Sequence, residues 1–420
     1  MRSDFAELLA CALMPILLLA ALQICGLAEK RGNSQPRVTV FFAMVFAAVW
    51  LSSAPAAVIA SYSVALLFVW AAFAEKSSRP LWRGVAGVTL GFALASFYLF
   101  PAAYEQRWVN IIQALSPGLH PSDNFLYTMT NDPEHNVFNW IASSVAIVLM
   151  VMTGIAGIAG HRRAGKKEEA EEAGKLWRVL LFLSAAAIFM MIRPSSVLWE
   201  HLFKLRFVQF PWRWMAILAV PYSCFLAAAM TRRRAGWILG GAVIVVSAAT
   251  GAFLVQQTWW DSEDIPALRE AIASDQGFEG TDEYDPSGDD HTNLPEKAAR
   301  VAVLPDEAGG AAPRAEVHIL RWRAEERELE VSSEEPVRVA LRLLNYPAWR
   351  VEVNGKVATP QRAEANGQMM LRLPAGRQHI AVKLVRTPDR ILGIFVSVGG
   401  LLALLTLFNA GGQRLLSASP

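Results

Sequence analysis

Apolar runs close to 20 residues long recur through this chain, and that recurrence limits its fold more than any other feature. A helix of that length crosses the hydrocarbon of a bilayer, and inside hydrocarbon only a helix or a closed barrel satisfies its own backbone. Nine spans are expected, at about 5–28, 37–53, 55–74, 82–103, 137–160, 177–193, 212–230, 236–255 and 390–410. The second and third share a tight turn at Ser52-Ser53-Ala54-Pro55. Composition agrees: 54% of residues are hydrophobic and 18% charged, more apolar than a soluble chain. The fold class is an α-helical polytopic membrane protein carrying one β domain before its last span.

Loop charge predicts orientation, because lysine and arginine accumulate in cytoplasmic loops. Lys30, Arg31 and Arg37 lie between spans one and two, and Lys76, Arg79 and Arg83 between three and four. His161-Arg-Arg-Ala-Gly-Lys-Lys167 and Arg232-Arg-Arg234 follow in alternate loops. The N-terminus is therefore expected outside and the C-terminus inside. Loops 104–136 and 194–211 and the segment 256–389 then face out. Asp4 and Glu7 disfavour a cleaved signal peptide, whose n-region is basic.

One outward loop breaks the charge bias. Lys204-Leu-Arg-Phe-Val-Gln-Phe-Pro-Trp-Arg-Trp-Met215 sets Lys204, Arg206 and Arg213 among Phe207, Phe210, Trp212 and Trp214. Cations among aromatics at the mouth of a span suit a lipid headgroup or a lipid-linked phosphate. They also suit an aromatic belt with snorkelling arginines. The net charge is only +2, without a basic domain, so nucleic acid is not an expected partner.

The segment 256–297 reads as an acidic, turn-rich connector. Its Gly280-Thr-Asp-Glu-Tyr-Asp-Pro-Ser-Gly-Asp-Asp-His291 lacks the ligand spacing of an EF-hand. From 298 to 388 the period becomes two. Arg314–Trp322, Glu328–Val331 and Val337–Leu343 alternate as half-buried strands, and Asn354-Gly355 sits between alternating runs as a hairpin signal. Six or so antiparallel strands are expected, enough for a small β-sandwich.

Motifs for cofactors and nucleophiles are missing. There is no His-Glu-x-x-His, Cys-x-x-Cys, Walker A, Gly-x-Gly-x-x-Gly or Gly-x-Ser-x-Gly. No metal and no cofactor is expected. The acidic residues placed to act on the outer face are Asp4, Glu7, Glu105, Asp123, Asp132, Glu134 and Glu200. Asp4 and Glu7 lie one helical turn apart.

Several segments carry a resemblance. Arg2-Ser-Asp-Phe-Ala-Glu-Leu-Leu9 with Met14-Pro15, Leu51–Val58, Tyr98-Leu-Phe-Pro-Ala-Ala-Tyr-Glu105, Phe210-Pro-Trp-Arg213 and Asn345-Tyr-Pro-Ala-Trp-Arg-Val351 all contribute. Together they resemble the bacterial multi-span membrane proteins labelled "6-pyruvoyl-tetrahydropterin synthase-related". That family is similar to GT-C glycosyltransferases and to Gram-positive proteins that decorate envelope polymers. The pterin label implies no activity here, since the zinc-binding histidines of a true pterin synthase are missing. The resemblance implies a bacterial cytoplasmic-membrane protein that takes sugar from a polyprenyl-phosphate donor at the outer face. Arg206 and Arg213 would hold the donor phosphate, with Trp212 and Glu105 beside the substrate. Glu7 would position donor or acceptor, and Asp4 is a candidate base. The family's main acidic base would lie in an upstream hairpin that this chain lacks, which puts turnover by this chain alone in question. A non-catalytic scaffold for envelope components remains the alternative, and a transporter a third.

The charge bias makes a direct prediction. In intact cells, in a background without native cysteines, an impermeant thiol reagent should label a cysteine placed at Ser287. It should spare one at Gly165, and labelling there would overturn the orientation.

Overall fold

The computed structural model describes residues 5–28, 35–164, 170–229, 264–273, 299–306, 313–363 and 366–416, with isolated positions between 238 and 252. Eight helices among them are long and apolar enough to cross a membrane. The expected eighth span, 236–255, lies outside the fully described residues. The architecture is that of a multi-pass membrane protein with a separate antiparallel β region. Two compact units emerge: 1–99, 115–259 and 393–420 form the first, and 100–114 and 260–392 the second.

The first unit contains α1 (Phe5–Ile24), α2 (Gln35–Ser52), α3 (Ala54–Ala74), most of α4 (Arg79–Glu105), α5 (Pro133–Ala164), α6 (Ala170–Met191), the short α7 (Ser196–His201) and α8 (Met215–Ala229). Only Ser53 separates α2 from α3. Its extended backbone (φ −151°, ψ 118°) breaks the helix, and the proline in the first turn of α3 restarts it where a missing N–H costs nothing. Inside the helices, hydroxyls turn back on their own backbone. Ser63, Ser184 and Thr153 donate to carbonyls four residues earlier at 2.7–2.8 Å, so these hydroxyls need no water.

Glycine lets α4 approach its neighbours. A Cβ on Gly84, Gly87 or Gly91 would come within 2.3–2.7 Å of the Phe68, Phe42 and Phe46 rings. Those rings form one buried aromatic stack, with Phe42 5.8 Å from Phe46 and 5.7 Å from Phe68. Small residues at such spacing are the usual device where lipid supplies no hydrophobic drive between helices.

The last helix, α10 (Pro388–Leu416), is seated on α4 the same way. Ser397 Oγ accepts from the Phe97 backbone N–H at 2.8 Å and lies 3.1 Å from the Ala93 and Leu94 carbonyls. Gly393 faces the Ser96 carbonyl.

The second unit is a β-sandwich preceded by α9 (Asp264–Ala273), so part of the expected turn-rich connector is helical. Nine strands appear rather than six: β1 Val301–Pro305, β2 Ala315–Trp322, β3 Glu326–Ser333, β4 Val337–Leu344, β5 Trp349–Val353, β6 Lys356–Ala358, β7 Gln361–Arg362, β8 Gln368–Leu373 and β9 Gly376–Leu384. One sheet runs β1-β4-β8-β7 and the other β2-β3-β9-β5-β6, antiparallel throughout. β6 is the return strand of the expected Asn354-Gly355 hairpin, and the strands not expected are β1 and β7, of five and two residues. Asn354 and Gly355 both take positive φ (50° and 76°), as a two-residue turn from β5 to β6 demands. Inward residues of the two sheets, Leu329, Val331, Val351, Ile380 and Val382 against Val337, Val339, Leu371 and Leu373, close one core.

The packing of α10 on α4 is testable. A Cβ at Gly393 would lie 2.6 Å from the Ser96 carbonyl oxygen, which is backbone and does not move aside, whereas Gly399 has nothing within 4 Å. Gly393→Ala should destabilise the detergent-purified protein by about 1–3 kcal/mol, the usual cost of overpacking. Gly399→Ala should be neutral or mildly stabilising. Thermal unfolding of the two variants side by side checks this.

Candidate functional site

The stretch between α6 and α8 is a chain of short helical turns: Arg193–Ser195, then α7, Leu205–Val208 and Pro211–Trp214. Buried Trp199, Leu205, Val208 and Trp214 pin it to the helices. Two non-glycine residues within it, Lys204 (φ 60°) and Gln209 (φ 67°), adopt the left-handed region. That conformation is uncommon for side chains of this size, and such strain collects at functional segments. The backbone of this turn bracket thus presents Arg206 on an exposed corner.

Its cations lie over rings as the sequence suggests. Lys204 stands 5.0 Å from the Phe207 centroid, Arg206 5.1 Å from the same ring, and Arg213 4.8 Å from Phe210. Phe210 and Trp212 stack at 5.2 Å, and Trp212 meets Phe138 of α5 edge-on. Desolvation, and then the neighbouring Arg206, hold the Lys204 ammonium below its ordinary pKa.

Beyond this the two arginines differ. Arg213 Nη2 forms an ion pair with Glu7 Oε2 at 3.0 Å, with side chains 13% and 21% exposed. Its Nη1 donates to the Val208 carbonyl at 2.7 Å. The structure therefore brings together two expected site residues, Glu7 and Arg213, as partners of each other. Trp212 sits beside them, and Asp4 lies outside the described residues.

Glu105 belongs to the second unit. Its carboxylate accepts from Arg390 Nε at 2.8 Å, Arg390 Nη2 at 3.0 Å and the Tyr346 hydroxyl at 2.6 Å. Burial first, and then the hydrogen bond to Glu105, push the Tyr346 phenol above its usual pKa. Trp108 meets the Tyr346 ring at 5.3 Å. Glu105, Trp108, Tyr346 and Arg390 thus meet in one aromatic and ionic cluster.

Of the remaining acidic candidates, Asp123 and Asp132 are engaged locally. Asp123 accepts from the Gly118 N–H and the Ser122 hydroxyl. Asp132 accepts from the Glu134 and His135 N–H groups, capping the start of α5. Glu200 differs. It lines a pocket of about 110 Å³ with Arg206, Ser196, His120 and Ser122, over a floor of Phe125 and Trp199. Phe125 and Trp199 meet edge-on at 6.1 Å, and Trp199 Nε1 is fixed on the Met190 carbonyl. Neither Glu200 nor Arg206 forms an ion pair with a described residue, although they share the pocket.

His120, Ser122 and Ser196 were not legible as site residues. His120-Pro-Ser-Asp reads as an ordinary turn, and nothing in its sequence indicates a neighbour more than 70 positions away. Among the described residues no three His, Cys, Asp or Glu side chains gather as a metal site.

The Glu7–Arg213 pair makes a separable prediction. Arg213→Ala removes an ion-pair partner from the part-buried Glu7 carboxylate and should cost about 1–2 kcal/mol, less than a fully buried pair. Adding Glu7→Gln should recover part of that loss. A double-mutant cycle by thermal unfolding checks it, and strictly additive losses would show that the pair contributes nothing. No protein-family model, curated protein or solved structure matches this chain, so the chemistry of its pocket is read from its own residues.

Proposed function

We propose that this chain is the membrane body of a GT-C-like glycosyltransferase. On this reading it holds a polyprenyl-phosphate-linked sugar for cell-envelope glycan assembly in a bacterial cytoplasmic membrane, with the β-sandwich on the extracytoplasmic face. The observation that carries the reading is Arg206, a guanidinium without an ion-pair partner among the described residues, set in a pocket with an aromatic floor. A guanidinium fork matches phosphate oxygens and is the side chain suited to that contact. The apolar helices beside it suit a lipid tail. The basic bias of alternate loops supports placing the pocket on the extracytoplasmic side.

Glu200 is the carboxylate placed to meet a sugar or acceptor hydroxyl in the same pocket. Arg213 acts on this reading as a positioning residue, holding the Val208 carbonyl and thereby the turn that carries Arg206. A second reading, a non-catalytic lipid-phosphate-binding scaffold, is favoured by one observation. Glu7 and Glu105 are each already paired with an arginine, which leaves them less suited to proton transfer.

The test is binding of a polyprenyl phosphate to purified, detergent-solubilised protein. Arg206→Lys keeps the charge and loses the fork, so affinity should fall by about 1–3 kcal/mol, roughly five- to 150-fold. Arg206→Ala should lose more. Equal affinity of wild type and both variants, at equal thermal stability, would remove Arg206 from the site.

A further inference from the structure

The pocket holds more unpartnered polar groups than Arg206 alone. Its loop wall, residues 118–130, is built rigidly. Asn124 is fully buried, and its Nδ2 donates to the Gly118 and His120 carbonyls at 2.9 Å each. Asn139 of α5 reaches the carbonyls of Asp123, Phe125 and Thr128. The backbone of His120 is therefore held in place before any ligand arrives.

The ring of His120 is held too. The side chain caps the short turn Pro121–Asp123, where Nδ1 accepts from the Ser122 N–H at 3.2 Å and lies 2.7 Å from Ser122 Oγ. From the Ser122 N–H contact we assign Nδ1 as the acceptor, the tautomer that carries its N–H on Nε2. Nε2 lies on the ring edge away from that cap and has no partner among the described residues. Ser196 Oγ, on the same pocket wall, has none either.

We infer that His120 is the second donor of an anion subsite. A phosphate group would be held between His120 Nε2–H and the Arg206 guanidinium, and a hydroxyl of the same ligand would be received by Glu200. The inference rests on the Arg206 reading above and assigns the class of ligand: a phosphate ester that carries sugar hydroxyls. Opposite charges share this small pocket without pairing. A ligand anionic at one end and hydroxyl-bearing at the other answers both: the cation and the imidazole N–H meet oxyanion oxygens, and the carboxylate accepts from a hydroxyl. Trp199 and Phe125 supply an apolar floor. Either a lipid-linked sugar phosphate or a free sugar phosphate presents this chemistry.

The discriminating substitution is His120→Asn. Asparagine is a preferred helix cap, and its side-chain oxygen replaces Nδ1 as acceptor for the Ser122 N–H, so the turn stays while the Nε2 donor is lost. Full-length protein in detergent would be titrated with a polyprenyl phosphate, with glucose 1-phosphate and with inorganic phosphate. The unfolding temperature of each variant is the control for folding. His120→Asn is expected to unfold with wild type and to bind at least one of these probes about tenfold more weakly. Glu200→Gln should weaken the hydroxyl-bearing probe relative to inorganic phosphate. Binding of the lipid probe alone would assign a lipid-linked ligand; binding of glucose 1-phosphate alone would assign a free one. Wild-type affinity in a well-folded His120→Asn, with Arg206→Ala weakened, would overturn the role of His120 and leave Arg206 standing. Failure of Arg206→Ala to weaken binding would sink the phosphate reading itself, and absence of wild-type binding to every probe would sink both.

Discussion

Polar groups in these apolar helices must find their partners within the protein, because hydrocarbon offers none. Much of the first unit follows from that requirement. Serines and threonines fold back on their own helices. Ser397 inserts against the backbone of α4 and so anchors the last helix. Glu7 at the start of α1 meets Arg213. Small residues do the remaining work, letting α4 approach the Phe42, Phe46 and Phe68 stack where a single methyl would clash.

The pocket beside α7 differs from the other acidic and basic sites. Asp123, Asp132, Glu7, Glu105 and Arg213 all have partners. Arg206, Glu200, Ser196 and the outward edge of His120 do not, among the described residues. Arg206 and Glu200 are exposed residues lining one concavity with an aromatic floor, where a single ligand could meet both. The left-handed backbone at Lys204 and Gln209 is consistent with a segment shaped to present a side chain rather than to minimise its own strain.

The β-sandwich was the most legible part of the chain. Alternation over Ala315–Trp322, Glu326–Ser333 and Val337–Leu344 exposes a period-two pattern long enough to read, and Asn354-Gly355 marks a turn that needs two positive φ values. Strands such as Gln361–Arg362 are too short to carry any period, so they emerge only when their partners are in place. The helix Asp264–Ala273 was missed for another reason: the acidic, glycine-rich composition around it outweighs ten residues of helical pattern.

Eight of the nine expected spans coincide with long apolar helices, and 236–255 lies outside the fully described residues; such runs are legible because crossing hydrocarbon is a property of a contiguous stretch. Sequence also singled out the basic and aromatic residues of 204–215, since cations there oppose the charge pattern expected of an outward loop. What it could not decide is which arginine is engaged. Arg206 and Arg213 are seven positions apart and chemically identical, and only the tertiary structure places Glu7 against one and leaves the other beside Glu200. His120 and Ser196 join the pocket for the same reason. Composition and period are set by neighbours along the chain, whereas ion pairing and pocket walls are set by residues that folding brings together from distant helices.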